Sequence, residues 1–157
     1  MIFAERALLP DGWAEQVRIA VADGHITGVS KAAAPQQGDT LVSALLPALS
    51  NLHSHAFQRA MAGMTEHRIA GRDSFWTWRD LMYRFLDRLT PGQMEAIAAL
   101  VFMEMQEAGY AAVGEFHYVH HLPGGGAYAD ISELSNRVFA AASLTGIGLT
   151  HLPVLYT

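Results

Sequence analysis

Two histidines one residue apart, His53 and His55 in "NLHSHAFQRAM", are the strongest chemical signal in the 157-residue chain. On a β-strand, alternate side chains share a face, so both imidazoles point the same way. Two imidazoles one pleat apart can hold one cation at the ~2.0–2.1 Å Zn–N distance. The same spacing also suits two polar residues at a strand end. Context favours the metal reading: the pair closes an apolar stretch, and the chain after it turns irregular. In α/β folds the carboxyl ends of parallel strands are where sites are built. A cysteine-free, histidine-based site makes zinc the first metal to consider. Zinc would lower the pKa of water to ~7, which points to hydrolysis, deamination included.

Composition narrows the rest. With 10 Lys+Arg against 15 Asp+Glu, the formal charge is −5. There is no basic stripe, so no nucleic-acid partner is expected. No apolar run reaches the ~18 residues of a membrane span, and "MIFAERALLPDGW" lacks the basic start of a signal peptide. No membrane partner is expected either. The absence of cysteine excludes disulfides and thiolate ligands, and the cytoplasm is the expected compartment. A homodimer is an admissible state.

Residues 17–29, "VRIAVADGHITGV", alternate around Asp23-Gly24 and predict a β-hairpin with a type I′ turn. "AAAPQQGD" is a loop. "TLVSALLPALSNLHSH" predicts one buried strand running into the histidine pair. Phe57 to about Arg72 is mostly loop. From Ser74, "SFWTWRDLMYRFLDRL" places Phe75, Trp78, Leu81, Met82 and Phe85 at helical spacing. Thr90 and Pro91 open a further helix that Gly109 ends. "YAAVGEFHYVHH" is a second strand, and "LPGGGAY" a turn. Asp130 and Glu133 are a capping pair for a helix to about Thr145. Gly146 and Gly148 lead into a third strand, "LTHLPVLY".

Strands alternating with helices imply parallel βαβ units. The predicted fold is α/β, the first part of a metal-dependent (β/α)8 barrel with about three strands, after an N-terminal hairpin segment of a small β-domain. The expected division is residues 1–47 for the β-domain part and 48–157 for the first βα units of the incomplete barrel.

The segments "NLHSHAFQRAMAGMTE", "DSFWTWRDLMYRFLDRLTP", "EAGYAAVGEFHYVHH" and "GIGLTHLPVLY" together resemble the bacterial formimidoylglutamate deiminases of histidine degradation. These belong to the amidohydrolase superfamily. The resemblance covers nearly the whole chain and is densest over residues 49–121. "DSFWTWR" and "GEFHYVHH" are its specific blocks, whereas the H-x-H pair is superfamily-wide. It implies that His53 and His55 are the first-strand zinc ligands, and that Gln58, Arg79 and Tyr118 contact substrate. The implied reaction is hydrolytic deimination of N-formimidoyl-L-glutamate, a small-molecule dicarboxylate, to N-formyl-L-glutamate and ammonia. Arg79 suits it, because a guanidinium fork can grip one carboxylate. Gln58 and the Tyr118 hydroxyl are neutral groups able to orient the rest.

Each residue also has an ordinary reading. Arg79 can be a solvated helix residue and Tyr118 a strand aromatic, while Gln58 alone carries little signal. His117 alternates to the face opposite Tyr118 and reads as structural. His120 and His121 either line the site mouth or are solvated. His25 and His67 are expected to be exposed, and His151 stands where the family has an apolar residue. "WTW" and the Met103/Met105 stretch read as packing. Ala48-Leu49-Ser50 departs from the glycine-containing turn usual in the family, which predicts strain before the histidine strand.

The resemblance implies further site residues beyond Thr157: a histidine after the fifth strand with a glutamate just past it for acid–base work, a histidine near the sixth, and an aspartate after the eighth. No catalytic residue is therefore assigned within the chain. These 157 residues are expected to be the front of a longer enzyme, inactive alone, weak in metal binding and prone to associate. Two other readings stay open: an aminohydrolase of the superfamily acting on a heterocycle, and a non-catalytic fragment or binding module.

Overall fold

The structure, a computed structural model, describes residues 1–64 and 75–155. The chain forms two compact units, Met1–Ala48 and Leu49–Thr157.

The first unit is a four-stranded sheet of β1 (Ile2–Leu9), β2 (Gly12–Ala22), β3 (His25–Ser30) and β4 (Thr40–Leu45), in the order β3-β2-β1-β4. Only β1 and β4 pair in parallel. The expected hairpin is β2–β3. Its turn residues Asp23 and Gly24 have φ of 51° and 75°, the left-handed pair that a type I′ turn requires. Two features departed from expectation: β1 was not anticipated, and β2 starts at Gly12 rather than near Val17. A small core of Ala4, Ala7, Val17 and Ile19 holds the unit, and Arg18 grips Asp39 with two hydrogen bonds of 2.8 and 2.9 Å.

The second unit carries a parallel sheet in the order β5-β6-β7, made of β5 (Leu49–Ser54), β6 (Tyr110–His117) and β7 (Gly148–Pro153). Between β5 and β6 come a 3₁₀ helix (Ala56–Met61), α1 (Phe75–Leu86) and α2 (Pro91–Glu107), and α3 (Glu133–Thr145) joins β6 to β7. Met94, Ala98 and Phe102 of α2 pack with Leu134, Val138 and Ala141 of α3 and Val113 of β6. The start of α2 is the predicted one. Thr90 accepts from Gln93 N and the Gln93 side chain returns to the Thr90 backbone, with Pro91 in the first turn.

Several expectations need correction. "TLVSALLPALSNLHSH" is not one buried strand: β4 and β5 are separate strands in different units, broken at Leu46-Pro47-Ala48. Proline lacks the N–H needed to continue a ladder. Nor is β5 buried, since Leu49 and Leu52 are 56% and 80% exposed at this sheet edge. Ala48-Leu49-Ser50 shows no strain: its φ values are not positive, and Leu49 N donates to Gly109 O at 3.0 Å. The chain after His55 is not loop at once, because the 3₁₀ helix buries Phe57 and Met61. Asp130 and Glu133 do not form a capping pair. Asp130 accepts from Ser132 N and the Asn136 amide, while Glu133 pairs with Arg137 one turn on. The expected exposure of His67 lies outside the described residues. Among the described residues no helix is long and apolar enough to cross a membrane.

Candidate active site

β5 ends at Ser54, so His53 sits near its carboxyl end and His55 follows it. Their Nε2 atoms converge at 3.1 Å, with the rings edge to face. His55 Nδ1 lies 2.8 Å from Phe116 O of β6. As an Nδ1–H donor to that carbonyl, His55 keeps its Nε2 lone pair for a cation, the arrangement that fixes a ligand's tautomer. His53 lies against the Phe116 ring at 4.4 Å. Two convergent imidazole acceptors fit half of a zinc coordination shell; among the described residues no group of three or more histidine, cysteine or acidic side chains could hold a metal.

Beside the pair is a cavity of about 460 Å³, lined among others by His55, Gln58, Arg79, Met82, Phe116 and Tyr118. Its walls come from three places in the sequence: the 3₁₀ helix, α1 and the end of β6. Gln58 Nε2 donates to the Tyr118 hydroxyl at 2.9 Å, and that hydroxyl reaches Met82 Sδ at 3.5 Å. Tyr118 also packs edge-on against His55, with centroids 5.0 Å apart.

Arg79 presents its guanidinium from α1. Its Nε and Nη2 donate to the Tyr83 hydroxyl at 3.0 and 2.8 Å, and its plane lies 5.7 Å from Trp76 and 5.3 Å from Tyr83. An arginine anchored through aromatic rings has lost part of its rotamer freedom before an anion arrives. The five residues singled out from the sequence are thus brought together: His55, Gln58, Arg79 and Tyr118 line one cavity, and His53 adjoins it through His55.

The other histidines lie elsewhere. His117 is 3% exposed, is not among the residues lining the cavity, and lies beside the rings of His120 and His151. Burial, helped by His151 and His120, lowers its pKa to about 4. His151 is half-buried, bonded through Nε2 to Ser135, and its pKa is lowered by burial and by His120. His120 Nε2 meets Val154 O at 3.0 Å, and His121 bridges to Ala127, so neither belongs to the cavity wall. His25 is exposed at the start of β3.

One residue escaped the sequence reading. Glu115, 2% exposed, alternates with Val113 and His117 on the buried face of β6. Burial pushes its carboxyl up, opposed by hydrogen bonds from Ser54 and Ala56 and by His53. A charged residue at an apolar position of a period-2 strand was the signal that could have found it.

The chain is similar to known proteins in sequence and in fold. A curated formimidoylglutamate deiminase of Pseudomonas aeruginosa is 57% identical over 157 residues, covering 99% of this chain and 35% of that protein. Over its whole length, this chain is similar to the N-terminal portion of a formimidoylglutamate deiminase. The family model "Formimidoylglutamate deiminase HutF, N-terminal domain" matches residues 1–43. A solved amidohydrolase from Brucella melitensis aligns with a TM-score of 0.95 at 49% identity, covering 99% of this chain and 35% of that one. The zinc-complexed atrazine chlorohydrolase TrzN of Arthrobacter aurescens aligns with a TM-score of 0.74 at 20% identity, covering 98% of this chain and 35% of that one, a likeness of fold. The chain therefore spans about a third of the length of the relatives it matches, and its α/β fold is that of the first part of the amidohydrolases.

Proposed function

We propose that these residues supply the opening part of a zinc-dependent deiminase site that hydrolyses N-formimidoyl-L-glutamate to N-formyl-L-glutamate and ammonia in histidine degradation. The carrying observation is the convergence of His55, Gln58, Arg79 and Tyr118 on one cavity, with His53 Nε2 3.1 Å from His55 Nε2. The 57% identity to a formimidoylglutamate deiminase supports the substrate, and the zinc in the TrzN structure supports the metal. In this reading His53 and His55 contribute two ligands. Bound zinc would supply a water of lowered pKa and a polarising charge at the formimidoyl carbon.

The chain's own residues orient the substrate. The Arg79 guanidinium takes one carboxylate of the glutamyl group, pre-set by its Tyr83 and Trp76 contacts. Gln58 and the Tyr118 hydroxyl, already bonded to each other, offer a donor and acceptor beside the ligand pair for the formimidoyl end. The apolar walls, Phe75, Trp78, Met82 and Phe116, exclude competing water from the chain of the substrate. Overall, water adds to the C=N carbon and the nitrogen leaves as ammonia, so one C–O bond forms as one C–N bond breaks. Proton transfer to the leaving nitrogen is not assigned to any residue of this chain. A cytoplasmic location belongs to the same reading.

Those apolar and aromatic walls favour a second reading, an aminohydrolase acting on a neutral heterocycle. Arg79→Met separates the two. Ammonia release is measured on the protein expressed from the complete reading frame that contains these codons. Loss of at least a hundred-fold on formimidoylglutamate, with any heterocycle turnover spared, supports the deiminase. No release from formimidoylglutamate by the unmutated protein, or equal loss on both substrates, refutes it.

A further inference from the structure

We propose that Glu115 is the positioning residue of the His53–His55 pair, an inference that rests on the metal reading of that pair. The carboxylate straddles His55. Its Oε1 accepts from Ala56 N at 2.6 Å, and the Ser54 hydroxyl lies close enough to lower its pKa. Ser54 and Ala56 are the two neighbours of His55, so one carboxyl group holds the backbone just after this ligand and touches the side chain just before it. The next residue completes the bracket, because Phe116 O receives His55 Nδ1 at 2.8 Å and the Phe116 ring lies 4.4 Å from His53. The dipeptide Glu115–Phe116 therefore sets the ring orientation of both histidines from the adjoining strand. Outer contacts of this kind orient metal ligands in general.

Backbone pinning alone does not call for a charge. A glutamine oxygen would accept the Ala56 N–H at a far lower desolvation cost than a buried carboxylate. Oε2 is also buried and has no hydrogen-bond partner among the described residues. A carboxyl group thus stands buried behind the ligand pair, where an amide could keep the shape of the turn. Its acidity becomes useful when a divalent cation occupies the two Nε2 atoms, which would favour the carboxylate form. Glu115 does not reach the cavity, so it is not a catalytic residue.

The test uses the protein expressed from the complete reading frame that contains these codons, in wild-type, Glu115→Gln, Glu115→Ala and His53→Ala forms. Zinc affinity is read by competition with a chromophoric chelator. The tautomer of His55 is read in metal-free protein by long-range ¹H–¹⁵N spectra. Glu115→Gln should keep the Nδ1–H form of His55 and the metal-free melting temperature, yet weaken zinc roughly 10–100-fold. Glu115→Ala should lose both the affinity and the single tautomer. Zinc binding by Glu115→Gln within two-fold of wild type, while His53→Ala abolishes it, overturns the role of the charge. If wild-type binding does not depend on His53, the metal reading falls. The tautomer then decides positioning by itself: a mixed His55 in Glu115→Ala upholds it, and an unchanged one refutes it.

Discussion

Lowering the pH from 7 to 5 should destabilise this protein mainly through His117. Its side chain is 3% exposed, its Nε2 has no hydrogen-bond partner among the described residues, and the rings of His151 and His120 lie 5.0 and 5.1 Å away. Burial first, then those two imidazoles, lowers its pKa from 6.5 to about 4, against a backbone bond with Val119 that raises it. The unfolded chain thus binds a proton below pH 6.5 that the folded chain refuses until about pH 4, so stability is complete above 6.5 and falls through that window. Linkage gives a loss of roughly 2 kcal/mol between pH 7 and 5, rising to about 3 kcal/mol by pH 4. Against a total stability on the order of 5–15 kcal/mol this is large. In urea the midpoint should move by about 1 M between pH 7 and 5, for a slope near 2 kcal/mol/M. Unfolding followed by far-UV circular dichroism at half-unit pH steps would measure it, with His117→Gln as control. The variant has no group to titrate there, and its midpoint should be much flatter between pH 7 and 5. Some slope should remain from His151, whose pKa is lowered in the same direction. A wild-type midpoint that does not move, or a variant slope equal to the wild type's, would refute the assignment.

Two other substitutions test how the elements are held. A Cβ at Gly114 would sit 3.1 Å from Leu52 O on the neighbouring strand, so Gly114→Ala must push β5 from β6. A loss of about 1–3 kcal/mol in chemical unfolding is expected, together with heterogeneous His53 and His55 resonances; unchanged resonances would contradict the close approach. Thr90→Ala removes the hydroxyl that caps α2 through Gln93 N and should cost about 1 kcal/mol, seen as a melting temperature a few degrees lower. A melting temperature equal to wild type would mean that the cap contributes nothing to this helix.

Much of the organisation was legible in local chemistry. Asp23-Gly24 specified a turn because few residues tolerate two successive positive φ angles. Thr90-Pro91 specified a helix start, since the hydroxyl answers an unpaired N–H and proline has none to leave unpaired. The H-x-H pair announced a shared face from the pleat alone. These signals are confined to a few neighbouring residues, though the equally local Asp130/Glu133 pair did not form its cap.

Tertiary structure decided the remainder. The stretch around Pro47 is apolar enough for one strand, but two separate sheets divide it, and edge position leaves Leu52 exposed. Arg79 reads as any solvated helix arginine until α1 sets it across the cavity from Tyr118 and Gln58. Glu115 shows the limit most clearly. Its side chain meets Ala56, 59 positions earlier, because parallel pairing lays β5 beside β6. Sequence by itself determined which residues could bind and where helices and turns begin, because those depend on near neighbours. Only the fold determined which of them meet, because a contact between distant residues exists once the intervening helices have packed.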